Sequence, residues 1–210
     1  MAMNTNTPAA AQDLREKLIT VAIDLVRANG FAALTVRAVT SRAGCAIGMV
    51  YKIFDNLDDL ALHVNAATLD MLEETMARPA TALGAKEAVL ELAARYIEFS
   101  QENFHLWSML FEHRMEGELP EWFQEKMRRN FGRVEQAVAP LTGGDSALAG
   151  ASAKVLWAAL HGVCSLSISG KLDTVGAKSA LALAEDLVEN YLEGLQRRHA
   201  SQRHMQTEEG

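Results

Sequence analysis

Only four prolines interrupt this 210-residue chain, at positions 8, 79, 120 and 140. Because a proline breaks a helix from within, their scarcity leaves long segments in which helices can form. Apolar residues recur at helical spacing in those segments, and no alternating Val, Ile or Thr run bounded by turn residues occurs. The sequence therefore predicts an all-α protein, and a hydrophobic content of 49% provides for a sizeable core.

The interruptions predict the order of the helices and the domains. An N-terminal head of three helices is expected at 12–60 and a larger helical body at 61–198. A disordered N-terminus at 1–11 and a flexible tail at 199–210 flank them. The expected helices run over about 13–29, 35–42, 47–54, 56–77, 85–102, 104–113, 120–139, 145–170 and 175–198.

Residues 35–54, TVRAVTSRAGCAIGMVYKIF, predict two short helices joined by a tight turn. Thr35 is a suitable N-cap for the first, and Gly44 permits the positive φ that ends it. This is the helix-turn-helix pattern. One side is apolar and is expected to pack on the first helix: Val36, Val39, Cys45, Val50 and Phe54. The outward side has no evident core role: Ile47, Gly48, Met49, Tyr51 and Lys52.

An outward-facing second helix suits the major groove of DNA, which admits an α-helix. Gly48 is unfavourable in a helix unless something approaches its backbone, and a duplex would do so. Core packing is an alternative role for Met49. For the whole head, the alternative is a small helical bundle that does not bind DNA.

Charge is distributed unevenly along the chain. The net charge of −7 argues by itself against a nucleic-acid partner. Residues 12–54, however, hold six Lys/Arg against three Asp/Glu, a net of +3, whereas 55–210 hold fourteen against twenty-four, a net of −10. A basic head on an acidic body is compatible with DNA binding by the head alone.

The segment LTVRAVTSRAGCAIGMVYKIFDNLDDL resembles the N-terminal signature of TetR-family transcriptional regulators. The resemblance covers about 13–62, and the rest of the chain has the length and helix count of the family's ligand and dimerisation domain. It implies a homodimeric repressor that binds a palindromic operator, is released by a small, largely apolar or aromatic effector, and needs no cofactor. The positions that carry the resemblance are Thr35, Ala43-Gly44, Gly48, Tyr51, Phe54 and Asp59-Leu60.

A second resemblance lies near the C-terminus. The segment LWAALHGVCSLSISGKL is similar to the Trp-x-x-x-His-Gly segment of one C-terminal subtype of the family, through Trp157, His161 and Gly162.

Resemblance and side-chain chemistry together predict the residues that contact double-stranded DNA. Thr35, Arg37 and Tyr51 are expected at phosphates. Met49 offers an apolar contact to thymine methyl groups, and Lys52 can bind guanine or phosphate. The full set is Thr35, Arg37, Arg42, Ile47, Gly48, Met49, Tyr51 and Lys52.

Two positions depart from the family pattern. Ala46 stands where a Ser or Thr usually caps the recognition helix, and the lost cap amounts to roughly 1 kcal/mol. Leu57 stands where a Lys usually reaches a phosphate, and a missing phosphate contact weakens binding and makes its salt dependence shallower. We therefore expect DNA binding that is weaker than the family norm.

Large, soft side chains concentrate over 104–131, where two of the three tryptophans fall. Trp and Met suit the mostly apolar wall of a ligand cavity, and a histidine can supply one of its few polar groups. An ordinary core is the alternative for any single aromatic residue, but the resemblance favours an effector pocket. The expected lining residues are Phe104, Trp107, Phe111, Trp122, Met127, Phe131, Trp157 and His161.

A stripe of small residues runs along 151–169, and apolar residues of the last helix, ending with Leu195, repeat at helical spacing. Such faces suit a four-helix interface across a two-fold axis, although a monomer could use them internally. The expected interface residues are Ala151, Val155, Ala158, Gly162, Ser165, Leu183, Leu187 and Tyr191.

Catalytic interpretations are weak. His113 and Glu116 have a metal-ligand spacing without a second pair, and Cys164 near His161 lacks an orienting acid and an oxyanion site. Cys45 and Cys164 match no metal-binding spacing and are expected to be small core residues. The main rival function is a helical ligand-binding or adaptor protein whose head contacts protein rather than DNA.

The expected location is the cytoplasm. The N-terminal MAMNTNTPAAAQ has neither the basic start nor the apolar segment of a secretion signal. The longest uninterrupted apolar runs are too short to cross a bilayer, so no membrane partner is expected.

Overall fold

The computed structural model describes residues 8–78, 84–112, 118–176 and 179–208, without the side chains of 112 and 199–208. Within those ranges the chain forms α-helices, two 3₁₀ turns (Phe31–Ala33 and Ala139–Thr142) and no strand, which confirms the all-α prediction. The helices are α1 Pro8–Asn29, α2 Val36–Ala43, α3 Ile47–Val50, α4 Leu57–Ala77, α5 Ala85–Glu102, α6 Phe104–Glu112, α7 Glu121–Val138, α8 Ser146–Ile168, α9 Lys171–Thr174 and α10 Ala180–Glu208.

The chain divides into two compact units. The first unit comprises the chain up to Asp70 together with Asn103–Phe123, and the second unit comprises Met71–Glu102 and the chain from Gln124 onward. This division differs from the expected domains at 12–60 and 61–198, because α6 packs on α1 instead of joining the body.

The first unit is built around α1. Leu18, Ala22 and Val26 are completely buried on one face of that helix, as i, i+4 spacing requires. Helix α2 and helix α6 both pack on α1. At the end of α1 the Nδ1 of His105 donates a hydrogen bond to the carbonyl oxygen of Arg27 (3.0 Å), which ties α6 to the last turn.

The second unit is a bundle in which α5, α8 and α10 pack against one another. Apolar residues of α5 and α8 meet those of α10 in its core, including Ala93, Leu156 and Val188. Leu195 is only 2% exposed and belongs to this core. The expectation that it continues a surface for a second subunit is therefore wrong.

Both predicted disordered ends are helical in part. Residues 8–11 form the start of α1, because the fixed φ of Pro8 suits the first helical position, where its missing N–H is not needed. The backbone of 199–208 continues α10, since no Gly or Pro interrupts that stretch. Helix thus extends into both of the segments for which the sequence predicted disorder (1–11) or a flexible tail (199–210).

Helix α8 is long and apolar enough to cross a membrane by length and composition, among the residues the structure describes. Uninterrupted apolar runs did not reveal this, because Ser, Gly and His residues are spaced along it. The same composition is typical of a core helix, and α8 buries Leu156, Leu160 and Cys164 within the second unit.

Candidate functional site

Helix α2 has the two ends that the sequence predicted. The Thr35 hydroxyl oxygen accepts the backbone N–H of Ala38 at 3.2 Å and caps the N-terminus. Gly44 adopts φ 71°, ψ 37° and ends the helix, with its N–H bonded to the carbonyl oxygen of Thr40. The N–H of Cys45 also reaches that oxygen, at 3.1 Å, so the chain turns sharply into α3.

Helix α3 is shorter than the expected 47–54. It is helical over Ile47–Val50, after which the Val50 carbonyl oxygen accepts hydrogen bonds from the N–H groups of Ile53 (3.0 Å) and Phe54 (2.8 Å). Its N-cap residue, Ala46, makes no side-chain hydrogen bond to the helix. Burial of Val50 and Phe54, as predicted, holds this single turn in place.

Most residues next to these buried anchors face outward. Ile47 is 52% and Tyr51 56% exposed, and Gly48 and Lys52 are exposed as well. A Cβ atom placed on Gly48 would meet no heavy atom of the protein within 4 Å. Met49 is half-buried, so part of its side chain packs inward and part is accessible.

Further exposed residues lie in α2 and at its N-cap. Thr35, Arg37 and Arg42 are all exposed. We call the combined set the α2–α3 surface; its members are Thr35, Arg37, Arg42, Ile47, Gly48, Met49, Tyr51 and Lys52. Of the eight residues expected to contact DNA, seven are thus exposed and Met49 is half-buried.

After α3, two side-chain hydrogen bonds form at the start of α4. The Asn56 side-chain oxygen accepts the N–H of Asp59 (2.8 Å), and the Asp59 carboxylate accepts the N–H of Asp55 (3.1 Å). The first of these bonds satisfies a backbone donor that a helix start otherwise leaves open. Leu57, the residue found where the family pattern has a Lys, is half-buried as the first residue of α4.

A cluster centred on His63 joins distant parts of the first unit. Arg15 of α1 donates from Nη2 to His63 Nε2 at 2.6 Å, and its guanidinium lies 5.5 Å from the centre of the Phe54 ring. The Trp122 ring stacks on His63, with ring centres 5.1 Å apart and planes 5° from parallel.

The surroundings of His63 favour its neutral form by lowering its pKa. Burial lowers its pKa, the Arg15 charge lowers it further, and Asp59 opposes both effects. Since a guanidinium has only donors, the His63 Nε2 must be the acceptor. Sequence reasoning missed this cluster, because nothing in the local pattern links Arg15 to residues 48 and 107 positions further along.

The residues expected to line an effector pocket fall into both compact units. Phe104, Trp107, Phe111 and Trp122 belong to the first unit, and Met127, Phe131, Trp157 and His161 to the second. Trp107 is completely buried and its ring contacts Phe111 edge-on at 5.5 Å, as a core residue does. Phe104 is 39% and Trp122 40% exposed.

In the second unit, aromatic and polar groups meet around Trp157. The Phe131 ring contacts the Trp157 ring edge-on at 5.2 Å. The Tyr96 hydroxyl lies 3.2 Å from His161 Nδ1, within hydrogen-bond distance. Trp157 also lines an apolar cavity of about 30 Å³, room for about one water molecule. Its lining residues are Met76, Val89, Leu92, Ala93, Tyr96, Val134, Leu156, Trp157 and Leu160.

A second, more polar space adjoins this cavity and shares Met76 and Leu92 with it. Its volume is about 270 Å³, close to the lower limit for small-molecule sites. Three arginines and a glutamate are among its lining residues, so we call it the arginine cleft. It is lined by Met76, Arg78, Ala88, Glu91, Leu92, Arg95, Arg133, Gln136 and Ala137.

The predicted dimer residues form an accessible face in the single chain. On α8, Ala151 and Ala158 are exposed, Val155 is 49% exposed, and Gly162 and Ser165 are half-buried. On α10 the expected interface residues are all half-buried: Leu183, Leu187 and Tyr191.

The groups considered for catalysis do not form a reactive site among the described residues. Burial raises the pKa of the Cys164 thiol to about 11, so the nucleophilic thiolate is scarcely populated at neutral pH. His113 and Glu116 lie outside the described residues. Within the described part of the chain, no group of three or more His, Cys, Asp or Glu side chains is placed to hold a metal ion.

Two family models match the sequence. Residues 18–64 match the model of bacterial regulatory proteins of the tetR family, and residues 89–191 match a tetracyclin repressor-like C-terminal domain. The first match contains the entire α2–α3 surface, and the second contains Trp157 and the predicted dimer face.

Relatives and solved structures agree with these matches. An uncharacterised HTH-type transcriptional regulator of Mycobacterium tuberculosis, Rv0681, is 25% identical over 184 residues, which cover 88% of this chain and 82% of that protein. A tetR-family transcriptional regulator from Streptomyces coelicolor superposes with a TM-score of 0.66 at 16% identity, covering 90% of this chain and 89% of that one. The transcriptional regulator FadR from Bacillus subtilis, in complex with stearoyl-CoA, superposes with a TM-score of 0.55 at 16% identity. The match covers 85% of this chain and 98% of that one.

Proposed function

Because this chain belongs to the TetR family of transcriptional regulators, we propose that it is a ligand-responsive repressor that binds a palindromic operator as a homodimer. The observation that carries the proposal is the exposure of the α2–α3 surface. A helix whose outward residues are held by two buried anchors, Val50 and Phe54, can enter a major groove without rearranging the core.

The chemistry of that surface suits a duplex. Arg37, Arg42 and Lys52 supply exposed cations for phosphates, and the Tyr51 hydroxyl supplies a further donor. Gly48 leaves the backbone of α3 open to close approach, and Met49 and Ile47 offer apolar contacts to thymine methyl groups.

We assign the homodimer interface to the predicted dimer residues of α8 and α10, which we call the α8–α10 face: Ala151, Val155, Ala158, Gly162, Ser165, Leu183, Leu187 and Tyr191. An exposed Val155 beside small residues on α8 allows a second helix to approach closely. Two copies related by a two-fold axis would present two α3 helices to half-sites about one turn of DNA apart. This is why the operator is proposed to be palindromic.

The effector is proposed to bind in the second unit and to release the operator. A ligand changes DNA affinity only if it binds the two conformations of the protein unequally. Helix α4 offers a route for coupling: its N-terminal part follows the α2–α3 surface in sequence, and Met76 near its C-terminus lines both the cavity and the arginine cleft. A regulator of this kind acts in the cytoplasm, where its operator is found.

Charge reversal tests the DNA-binding step. An operator is first obtained by selecting bound duplexes from genomic fragments, and its affinity is measured by fluorescence anisotropy over a salt series. Arg37→Glu and Lys52→Glu are expected to abolish binding while the circular dichroism spectrum and melting temperature stay unchanged. Arg128→Glu is the control, because Arg128 is an exposed α7 residue paired with Glu125 outside the α2–α3 surface.

The salt series adds a quantitative criterion. Neutralising one phosphate contact flattens the slope of log K against log salt by about 1, so Lys52→Gln is expected to flatten it by about 2 in a homodimer. Unchanged DNA binding by Arg37→Glu and Lys52→Glu would refute the proposed interface. A well-folded wild-type protein that selects no duplex would favour a head that contacts protein.

A further inference from the structure

The arginine cleft is a local concentration of positive charge on an acidic part of the chain. Residues 55–210 have a net charge of −10, yet among the described residues the cleft is lined by Arg78, Arg95 and Arg133 against a single carboxylate, Glu91. A basic recess on an acidic surface attracts anions to that recess selectively.

One of the three arginines has a structural role. Arg95 donates to the carbonyl oxygens of Met76 (3.3 Å) and Arg78 (2.7 Å) and pairs with Glu91. It thereby holds the C-terminal end of α4 against α5 and fixes one wall of the cleft. The charges of Arg95 and Glu91 also cancel each other. The positive charge available to a ligand therefore comes from Arg78 and Arg133.

Arg133 is incompletely neutralised. Glu73 is shared between Arg129 (3.7 Å) and Arg133 (3.8 Å), both at long range for an ion pair. One carboxylate beside two guanidinium groups leaves an excess of positive charge. Arg78 is exposed at the same cleft, so a ligand anion can approach both side chains. Arg pairs well with carboxylate and phosphate because its donors match the spacing of two oxygens.

The inner side of the cleft leads to apolar surface. Met76 and Leu92 line both the cleft and the cavity, so they form the partition between the two spaces. Methionine is flexible and adapts easily to a new neighbour. Movement of Met76 and Leu92 would join a charged entrance to an apolar interior that Trp157 lines.

We propose that the effector is an amphipathic anion, with a carboxylate or phosphate head held by Arg78 and Arg133 and an apolar chain directed past Met76 and Leu92 toward Trp157. This inference rests on the proposed ligand-responsive function and specifies its ligand class. The sequence led us to expect a largely apolar effector, and the arginine cleft adds a negatively charged head group to that expectation. The apolar cavity by itself is too small to hold more than a water-sized group. The proposed ligand class therefore rests on the arginine cleft and on movement of Met76 and Leu92, not on the size of that cavity.

Isothermal titration calorimetry of the full-length protein tests the proposal with three probes of equal chain length: decanoate, decyl phosphate and uncharged 1-decanol. Decanoate, decyl phosphate or both are expected to bind at least tenfold more tightly than 1-decanol. Which of the two binds more tightly identifies the head group. Circular dichroism at the same concentrations verifies that the protein stays folded.

Variants assign the charge selectivity to the cleft. Arg78→Gln with Arg133→Gln is expected to weaken binding of the preferred anion about ten- to hundredfold, to the level of 1-decanol, since hydrogen bonds to charged groups are lost. Binding of 1-decanol should not change. Arg128→Gln is the matched control, because Arg128 lies on α7 like Arg133 but outside the cleft.

Equal affinity for the anions and 1-decanol, or anion binding that survives the double substitution, would overturn the proposal. Failure of both anions to bind would do the same. Because calorimetry needs no DNA, these outcomes can be distinguished from the result of the operator-binding test. That function fails separately if unliganded protein binds no operator.

Discussion

Replacing Gly48 by alanine separates the stability of α3 from its approach to DNA. In the free protein a Cβ at this position meets no heavy atom within 4 Å, and Gly48 does not have a positive φ. Alanine is favoured over glycine in a helix by roughly 0.5–1 kcal/mol. At about 2–4 °C per kcal/mol for a chain of this size, the melting temperature of Gly48→Ala should rise by about 1–4 °C.

The same methyl group should weaken operator binding. If the duplex lies against the backbone of Gly48, the added carbon overpacks the contact, at a cost of roughly 1–3 kcal/mol. A homodimer makes that contact twice, so at least about 2 kcal/mol is lost, which corresponds to about a thirtyfold increase in the operator dissociation constant. A more stable protein that binds DNA less well is therefore expected.

Two measurements are needed. Thermal denaturation, monitored by circular dichroism, gives the melting temperature. Fluorescence anisotropy with labelled operator gives the operator affinity. Gly132→Ala in α7 is the matched control, because a Cβ there also meets nothing within 4 Å. It should raise the melting temperature similarly and leave operator affinity unchanged. If Gly48→Ala bound the operator as tightly as the wild type, the close approach of DNA to α3 would be wrong. A lower melting temperature would instead contradict the open surroundings of Gly48.

Three further substitutions test other parts of the structure. Ala46→Ser should supply the missing N-cap of α3, stabilise it by roughly 0.5–2 kcal/mol and tighten operator binding, as measured by denaturation and anisotropy. Burial and Arg15 lower the pKa of His63, so its contribution to stability is complete above the ordinary pKa of 6.5 and is lost as pH falls below that value. Urea unfolding at pH 7.5 and 5.5 should show this loss in the wild type and a smaller one in His63→Gln. Val155→Glu should convert the dimer to monomer in analytical ultracentrifugation, whereas Val175→Glu, at a residue 75% exposed outside the α8–α10 face, should not; unaltered sedimentation of Val155→Glu would exclude that face.

Local chemistry made the helix ends of the head predictable. Thr35 caps α2 through its own hydroxyl, and Gly44 adopts a conformation that other residues avoid. Each of these interactions spans three or four residues, so the information lies within a short stretch of sequence. The burial of Val50 and Phe54 followed equally from spacing along one helical turn.

Long-range packing was not predictable in the same way. Helix α6 joins the first unit through contacts with α1, and His63 stacks on Trp122 from a helix that begins 58 residues later. The arginine cleft likewise combines the end of α4 with α5 and α7. Composition marked 104–131 as rich in aromatic residues but could not divide them between two compact units.

The departures at Ala46 and Leu57 bear on how strongly this regulator binds DNA. Ala46 makes no side-chain bond to α3, so that single turn depends on burial of Val50 and Phe54. Leu57 is half-buried at the start of α4 and has no charge to offer a phosphate. Both observations accord with the expectation of weaker DNA binding, which the salt series measures.

Selection of bound duplexes from a random DNA library, using the full-length protein, tests the central claim most directly. The outward placement of Gly48–Lys52 on a homodimer predicts enrichment of an inverted repeat whose half-sites lie about 10 base pairs apart. Lys52→Glu protein, carried through the same selection, should enrich nothing. Recovery of no motif by folded wild-type protein, or of the same motif by Lys52→Glu, would contradict the assignment of this surface to DNA.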